Sequence, residues 1–286
     1  KILLVRLRMI GDVVFTTPAV TALRDRFPDA QITYIVEPAA APVVQGNPSL
    51  DEVLVVPRQS GLGGFLADVR LGRALARQRF DIAIDFHGGP RASLLTWLSR
   101  APRRIGYEVA GRGWMYTERV DRPRELRARH SVENQWDLLA SLDVAAPSRS
   151  RFPLTMALDA GVQRQVRGRL ALHDVPRDAR LVVMHVSASN PFRRWPVPAF
   201  SAVAAQLAGR DPRVHVLVTS GPSEADATAR VIEGARLQLA SEARSRVVDS
   251  GDFSLAELRA LVEDAALYIG GDSGPMHIAA TSRVPI

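Results

Sequence analysis

The 286-residue chain contains no cysteine, which excludes a disulfide framework and any thiolate metal site. Aromatic residues make up only 6% of it and do not interleave with its basic stretches, so the base-stacking surface of a nucleic-acid binder is missing. No apolar run reaches the roughly 18 residues that a membrane-spanning helix needs. The opening KILLVRLR has neither a long apolar core nor a small-residue cleavage site, unlike a secretory signal. No Gly-x-Gly-x-x-Gly follows the first apolar run, which removes the main support for a dinucleotide enzyme. These absences suit a cytoplasmic protein that uses no cofactor and binds no nucleic acid. Lysine is almost missing too. Lys1 is the single one among 37 basic residues, a skew that a GC-rich genome explains.

What is present is an ordinary globular composition, 47% hydrophobic and 23% charged. The formal charge of +7 favours anionic partners by long-range attraction. Nucleic acid, an anionic membrane surface and phosphorylated small molecules all satisfy that condition, and composition does not choose among them.

Short β-branched runs alternate with amphipathic stretches. In the first half the strands are read at 2–6, 32–36, 53–56, 82–85 and 104–107. The helices are read at 13–26, 39–44, 65–79 and 91–99, with Ser60 to Gly64 as a Gly-rich connector. Between Ala110 and His130 the pattern is lost and arginine dominates; a helix over 132–142 follows. Ala145 to Ser148 reads as a linker. The second half resumes with strands at 181–185, 214–219, 247–248 and 267–269, and helices at 160–172, 198–208 and 224–240. Ser254 and Glu257 form a capping box ahead of a last amphipathic helix. Strands separated by helices of this length pair in parallel through right-handed crossovers. The expected fold class is α/β, two doubly wound domains around a cleft, spanning 1–150 and 151–286. The chain lacks an initiator methionine and stops where an apolar strand is beginning, so residues are expected to be missing at both ends.

Three strand-to-helix turns carry the chemistry, because ligands bind beyond the carboxyl ends of strands in open parallel sheets. The first is Arg8-Met9-Ile10-Gly11-Asp12. Asp12 stands at a helix N-cap position, where capping alone is a sufficient role. The second runs from His185 through Ser187 and Ser189 to Arg193, Arg194 and Trp195. Its hydroxyls and guanidinium pair fit a diphosphate, which Arg grips through a planar fork of donors, and they fit a solvated polar loop equally. The third is Gly270-Gly271-Asp272-Ser273-Gly274-Pro275-Met276-His277. Its glycines admit close backbone approach, and the helix start after it offers N–H groups and a favourable dipole to phosphate.

Read in order, RLRMIGDVVFTTPAVTALRDRFP, FDIAIDFHGGPRASLLTWLSRAPRRIGY, HVSASNPFRRWP and GGDSGPMHIAA resemble the ADP-heptose:lipopolysaccharide heptosyltransferases, glycosyltransferase family 9. The resemblance spans nearly the whole chain, and its last segment is the most specific piece. It implies a GT-B fold of two Rossmann-like domains, with the acceptor held by the first and the nucleotide sugar by the second. It further implies inverting, metal-independent transfer, and the absence of any Asp-x-Asp triplet agrees with that. Carried over by position, Asp12 is the expected general base. Arg193 falls where the family usually has lysine, a departure that keeps the charge but changes the geometry. Ser187, Ser189, Arg193, Glu224, Asp272, Ser273, Gly274 and His277 are the expected donor-binding residues.

The expected partners are ADP-heptose and an anionic lipopolysaccharide precursor, with peripheral contact at the inner face of the inner membrane. On the acceptor side stand Arg8, His87, Arg91 and Arg129. Arg103, Arg104, Arg119, Arg122, Arg124, Arg127 and His130 add positive charge nearby. Two alternatives stay open: a transferase of the same fold using another nucleotide sugar, and a nucleotide-binding protein without transfer.

Overall fold

The structure is a computed structural model that describes residues 1–121, 130–188, 190–221 and 224–286. The chain divides into two compact units, Lys1–Ala157 and Leu158–Ile286. The division falls later than the linker read from sequence, because residues just after it pack on the first unit. Arg151 pairs with Asp25, and the Thr155 N–H donates to Thr17 Oγ1 at 3.0 Å.

In the first unit, β1 (Ile2–Val5), β2 (Ile32–Val36), β3 (Glu52–Val55), β4 (Ile82–Asp85), β5 (Arg103–Tyr107) and β6 (Glu118–Val120) form one sheet in the order β3-β2-β1-β4-β5-β6. Every pairing is parallel. β1 and β2 are buried along their whole length, as befits strands covered on both faces by helices. Those helices are α1 (Ile10–Arg26), α2 (Ala41–Val44), α3 (Gly61–Gln78), α4 (Pro90–Leu98) and α5 (Ser131–Asp137). α1 is buried over much of its length despite Pro18 inside it. The proline ring leaves the Val14 carbonyl without its helical donor, and the Thr17 hydroxyl supplies one at 2.8 Å.

Three elements differ from the sequence reading. α3 begins at Gly61, so the glycines expected to form a connector are its first turn. The arginine-dominated stretch contains β6, a three-residue edge strand too short to show a period. The helix read over 132–142 is α5 followed by a 3-10 turn at Ala140–Leu142. His130, read as a loop residue, caps α5 by accepting the Val132 N–H at Nδ1.

The second unit carries α6 (Ala160–Leu172), β7 (Arg180–His185), α7 (Val197–Arg210), β8 (Val214–Thr219), α8 (Ala225–Leu237), β9 (Val247–Asp249), α9 (Leu255–Glu263), β10 (Leu267–Gly270) and α10 (Gly274–Ala279). Its parallel sheet has the order β10-β7-β8-β9. The core of this unit gathers Met184, Val216 and Val218 from the strands with Phe200, Val231 and Ile232 from α7 and α8. The capping box at Ser254 and Glu257 is formed in full at the start of α9. Among the described residues no helix is long and apolar enough to cross a membrane.

Both sheets have their strand order reverse beside the first strand, between β1 and β4 and between β7 and β10. A doubly wound sheet opens a crevice at such a point, beyond the carboxyl ends of the strands. The turn that carries Asp12 and the loops that carry Ser187, Arg193 and Asp272 lie there.

Candidate active site

At the β1/β4 crevice the chain leaves β1 through Arg6 and turns at Met9, whose φ of 68° is left-handed. α1 then starts at Ile10, so Asp12 lies in its first turn and not at the N-cap; Met9 holds that position. The Asp12 carboxylate is half exposed and pairs with the largely buried Arg6 guanidinium. Arg6 also donates through Nη1 to the Phe86 carbonyl at 2.6 Å, which ties the turn after β1 to the turn after β4. The Leu7 N–H donates to His87 Nδ1 at 3.3 Å and makes a second tie.

The turn after β4 is organised by Asp85. It is fully buried, and its Oδ1 accepts the His87 and Gly88 N–H groups at 2.8 Å each. Its Oδ2 accepts the Tyr116 hydroxyl at 2.7 Å, and that hydroxyl also meets Ser93. Burial pushes the Asp85 pKa upward, against the hydrogen bonds from Tyr116, Gly88 and His87 and the charge of Arg6. Burial likewise pushes the Tyr116 hydroxyl up, so it stays a donor.

Arg6, Asp85 and Tyr116 were not among the residues read from sequence as site residues. Their signal was available for two of them: each of the runs ILLV and IAI ends on a single charged residue, Arg6 or Asp85, at the strand's carboxyl end.

The expected acceptor-side cations fare differently. Arg8 is exposed in the turn before α1. Arg91 has its donors taken by Asp68 at 2.9 Å, by Glu37 at 3.0 Å and by the Pro57 carbonyl, so it braces α4 against α3 and is not free to meet an anion. Arg103 is held by Glu118, and Arg104 by the Met115 and Ala101 carbonyls. Both sit at the amino end of β5, since Arg103 pairs in register with Ile82 and Gly106 with Asp85. That is the opposite end of the sheet from the crevice. Arg119 reaches Glu108. Arg122, Arg124, Arg127 and Arg129 lie outside the described residues.

At the β7/β10 crevice three loops leave neighbouring strands. His185, Thr219 and Gly270 end β7, β8 and β10 in register. The buried His185 ring meets Thr219 Oγ1 at 3.0 Å through Nδ1 and Ser187 Oγ at 3.0 Å through Nε2. Burial lowers its pKa to about 4, so the ring is neutral near pH 7. Ser187 Oγ in turn accepts the Gly221 N–H at 2.9 Å. The Ser187 hydroxyl, expected on the ligand, therefore faces inward and ties the β7 loop to the β8 loop.

Arg193 donates to the Asp272 carbonyl at 3.1 Å and pairs with its carboxylate at 3.1 Å. Asp272 also lies 3.3 Å from His277 Nε2. Arg194 pairs with Glu224 at 2.7 Å and donates to the Ala188 carbonyl. A Cβ on Gly271 would stand 2.3 Å from the Arg193 carbonyl oxygen, so this glycine lets two protein loops touch. Ser273 and Gly274 begin α10, with Pro275 in its first turn. The enclosed Ser273 hydroxyl makes no hydrogen bond among the described residues. Ser187, Arg193, Glu224, Asp272, Ser273, Gly274 and His277 are thus carried on three adjoining loops; Ser189 lies outside the described residues.

The sequence model of glycosyltransferase family 9 (heptosyltransferase) matches residues 69–286, which include α4 and every element of the second unit. The chain belongs to this family. It is a glycosyltransferase with the GT-B architecture of paired parallel α/β units. Lipopolysaccharide heptosyltransferase 3 of Escherichia coli K12 is 28% identical over 98% of the chain and 79% of its own length. A crystal structure of a family 9 glycosyl transferase from Veillonella parvula superposes with a TM-score of 0.87 at 25% identity, covering 100% of this chain and 79% of that one. The ADP-heptose heptosyltransferase II of E. coli, at 18% identity, shares the fold with a TM-score of 0.78 over 98% of this chain and 82% of that one.

Proposed function

We propose that the chain transfers a heptose from ADP-heptose to an anionic inner-core precursor of lipopolysaccharide, inverting the anomeric carbon and using no divalent metal in the transfer step. Its relatives named as lipopolysaccharide heptosyltransferases support the substrate class, and an E. coli family structure was obtained with ADP-2-deoxy-2-fluoro heptose. The acceptor is part of a membrane lipid, so the enzyme works in the cytoplasm as a peripheral visitor to the inner membrane. The first unit takes the acceptor and the second the donor.

The observation that carries the mechanism is the placement of Asp12, a half-exposed carboxylate fixed by Arg6 where the β1/β4 crevice opens. Asp12 takes the proton of the acceptor hydroxyl as its oxygen attacks the anomeric carbon. The bond from that carbon to the diphosphate oxygen breaks, and ADP leaves carrying the negative charge. Arg193 and the N–H groups at the start of α10 stabilise that charge. Asp272 orients the loop or accepts from a sugar hydroxyl, and Glu224 meets the ribose. Ser189, Arg8, His87 and Arg129 keep their expected donor and acceptor roles in this reading. Ser187 acts through its bond to Gly221, and Arg91 through the brace it forms with Asp68.

Titration calorimetry against ADP-heptose, ADP and UDP in chelator tests the donor. Binding of both adenine ligands with little for UDP supports the reading; preference for UDP replaces the donor. Asp12→Asn is expected to keep ADP affinity and lose transfer by about 10²–10⁴-fold, the span of a positioned base. An Asn variant that turns over normally removes Asp12 from the chemistry.

A further inference from the structure

The first two turns of α3 carry an apolar stripe that the described residues leave uncovered. Leu62, Phe65 and Leu66 are 75%, 54% and 46% exposed, and the spacing i, i+3, i+4 places them on one face. Val69 and Arg73 continue that face one and two turns on. The opposite face, with Leu71 and Leu75, packs on the core of the first unit. The stripe is therefore surplus to the fold: α3 is already anchored by its other side.

Charge is distributed around the stripe in one sign. Arg58, Arg70, Arg73 and Arg77 are exposed, and among the described residues none of them forms an ion pair. The single carboxylate of the helix, Asp68, is bound by Arg91 and faces away from the stripe. An apolar tip followed by unpaired arginines on the same face matches a layered surface, anionic on the outside and hydrocarbon just beneath. Arginine stems lie along apolar material while their heads reach phosphate, and such helices bind by buried apolar area plus attraction to anionic lipid.

We infer that the amino-terminal half of α3 is the element that seats the protein on a bilayer of anionic phospholipid, with Leu62, Phe65 and Leu66 entering the interface and Arg58, Arg70, Arg73 and Arg77 holding headgroups. This deepens the proposed peripheral membrane role and does not depend on Asp12 or on the identity of the donor.

The test is co-sedimentation of the full chain with vesicles of phosphatidylethanolamine and phosphatidylglycerol, and with vesicles of phosphatidylcholine alone. The wild type is expected on the anionic vesicles and not on the neutral ones, with binding that falls as salt is raised. Phe65→Ser with Leu66→Ser is expected to weaken anionic binding by about tenfold or more, as is Arg70→Gln with Arg73→Gln, at unchanged Tm. Turnover separates the membrane from the acceptor. The serine variant is expected to lose transfer onto an acceptor embedded in vesicles and to keep it on a deacylated, water-soluble acceptor, whereas Asp12→Asn loses both. Absent vesicle binding, wild-type binding by both double variants, or loss of transfer on the soluble acceptor by the serine variant overturns the assignment. So does a serine variant that converts a dimer to a monomer, since the stripe is then an interface between copies.

Discussion

His185 titrates near 6.5 in an unfolded chain and at about 4 once its ring is enclosed between Thr219 and Ser187. The folded state therefore binds fewer protons than the unfolded state between those values, and stability rises with pH across that window. The stabilisation is full above about 6.5 and is lost as pH falls toward 4. From the shift, the loss between pH 7 and pH 5 is about 2 kcal/mol. Urea titrations of the second unit at the two pH values check it. His185→Gln is expected to shrink the difference, and an unchanged pH dependence in that variant would assign it to other groups. At this scale the sequence exposed residue types but not their partners. Asp12, Arg193 and Asp272 stand out in their turns. That Ser187 points inward and Arg91 braces two helices depends on Gly221, Asp68 and Glu37, which lie 34, 23 and 54 residues away.

Helix contacts give two tests at the scale of elements. α3 meets α4 at Gly72, where an added Cβ would stand 2.5 Å from the Leu98 Cβ. Alanine is the better helix former by about 0.8–1 kcal/mol, yet the clash with a packed neighbour costs about 1–3 kcal/mol. Gly72→Ala is expected to lower the Tm of the first unit; a rise would show that the two helices can separate freely. Ser254→Ala removes the cap of α9 and is expected to cost about 1 kcal/mol, read by the urea midpoint of the second unit. The long helices and buried strands were legible because their apolar periods run for several turns or a whole strand. β6 was not, since three residues flanked by Thr117 and Asp121 show no period. The start of α3 was missed because Gly61, Gly63 and Gly64 read locally as a turn, whereas Gly61 opens the helix from a left-handed φ of 69° and the other two continue it.

Across the whole molecule the two units keep separate cores, one around Leu3, Leu75 and Leu95 and the other around Met184, Val216 and Phe200. Unfolding is then expected to depart from a single two-state transition. Leu95→Ala, which empties a fully buried site, is expected to cost the first unit about 2–5 kcal/mol. Hydrogen exchange read by mass spectrometry is expected to show the loss in peptides from 1–157 and not in those from 158–286. Equal loss in both would mean that the units unfold together.

The central position of β1 also has a meaning in time. Its Ile2 pairs with Ile32 on one side and with Ile82 on the other, so during synthesis this strand waits for its second neighbour. Synthesis proceeds at about 5–20 residues per second, and those 80 residues take roughly 4–16 s. Throughout that interval an Ile-Leu-Leu-Val edge presents unpaired backbone groups, the condition under which strands join the wrong chain. Folding yield during synthesis is then expected to depend on what shields that edge as well as on the stability of the finished sheet.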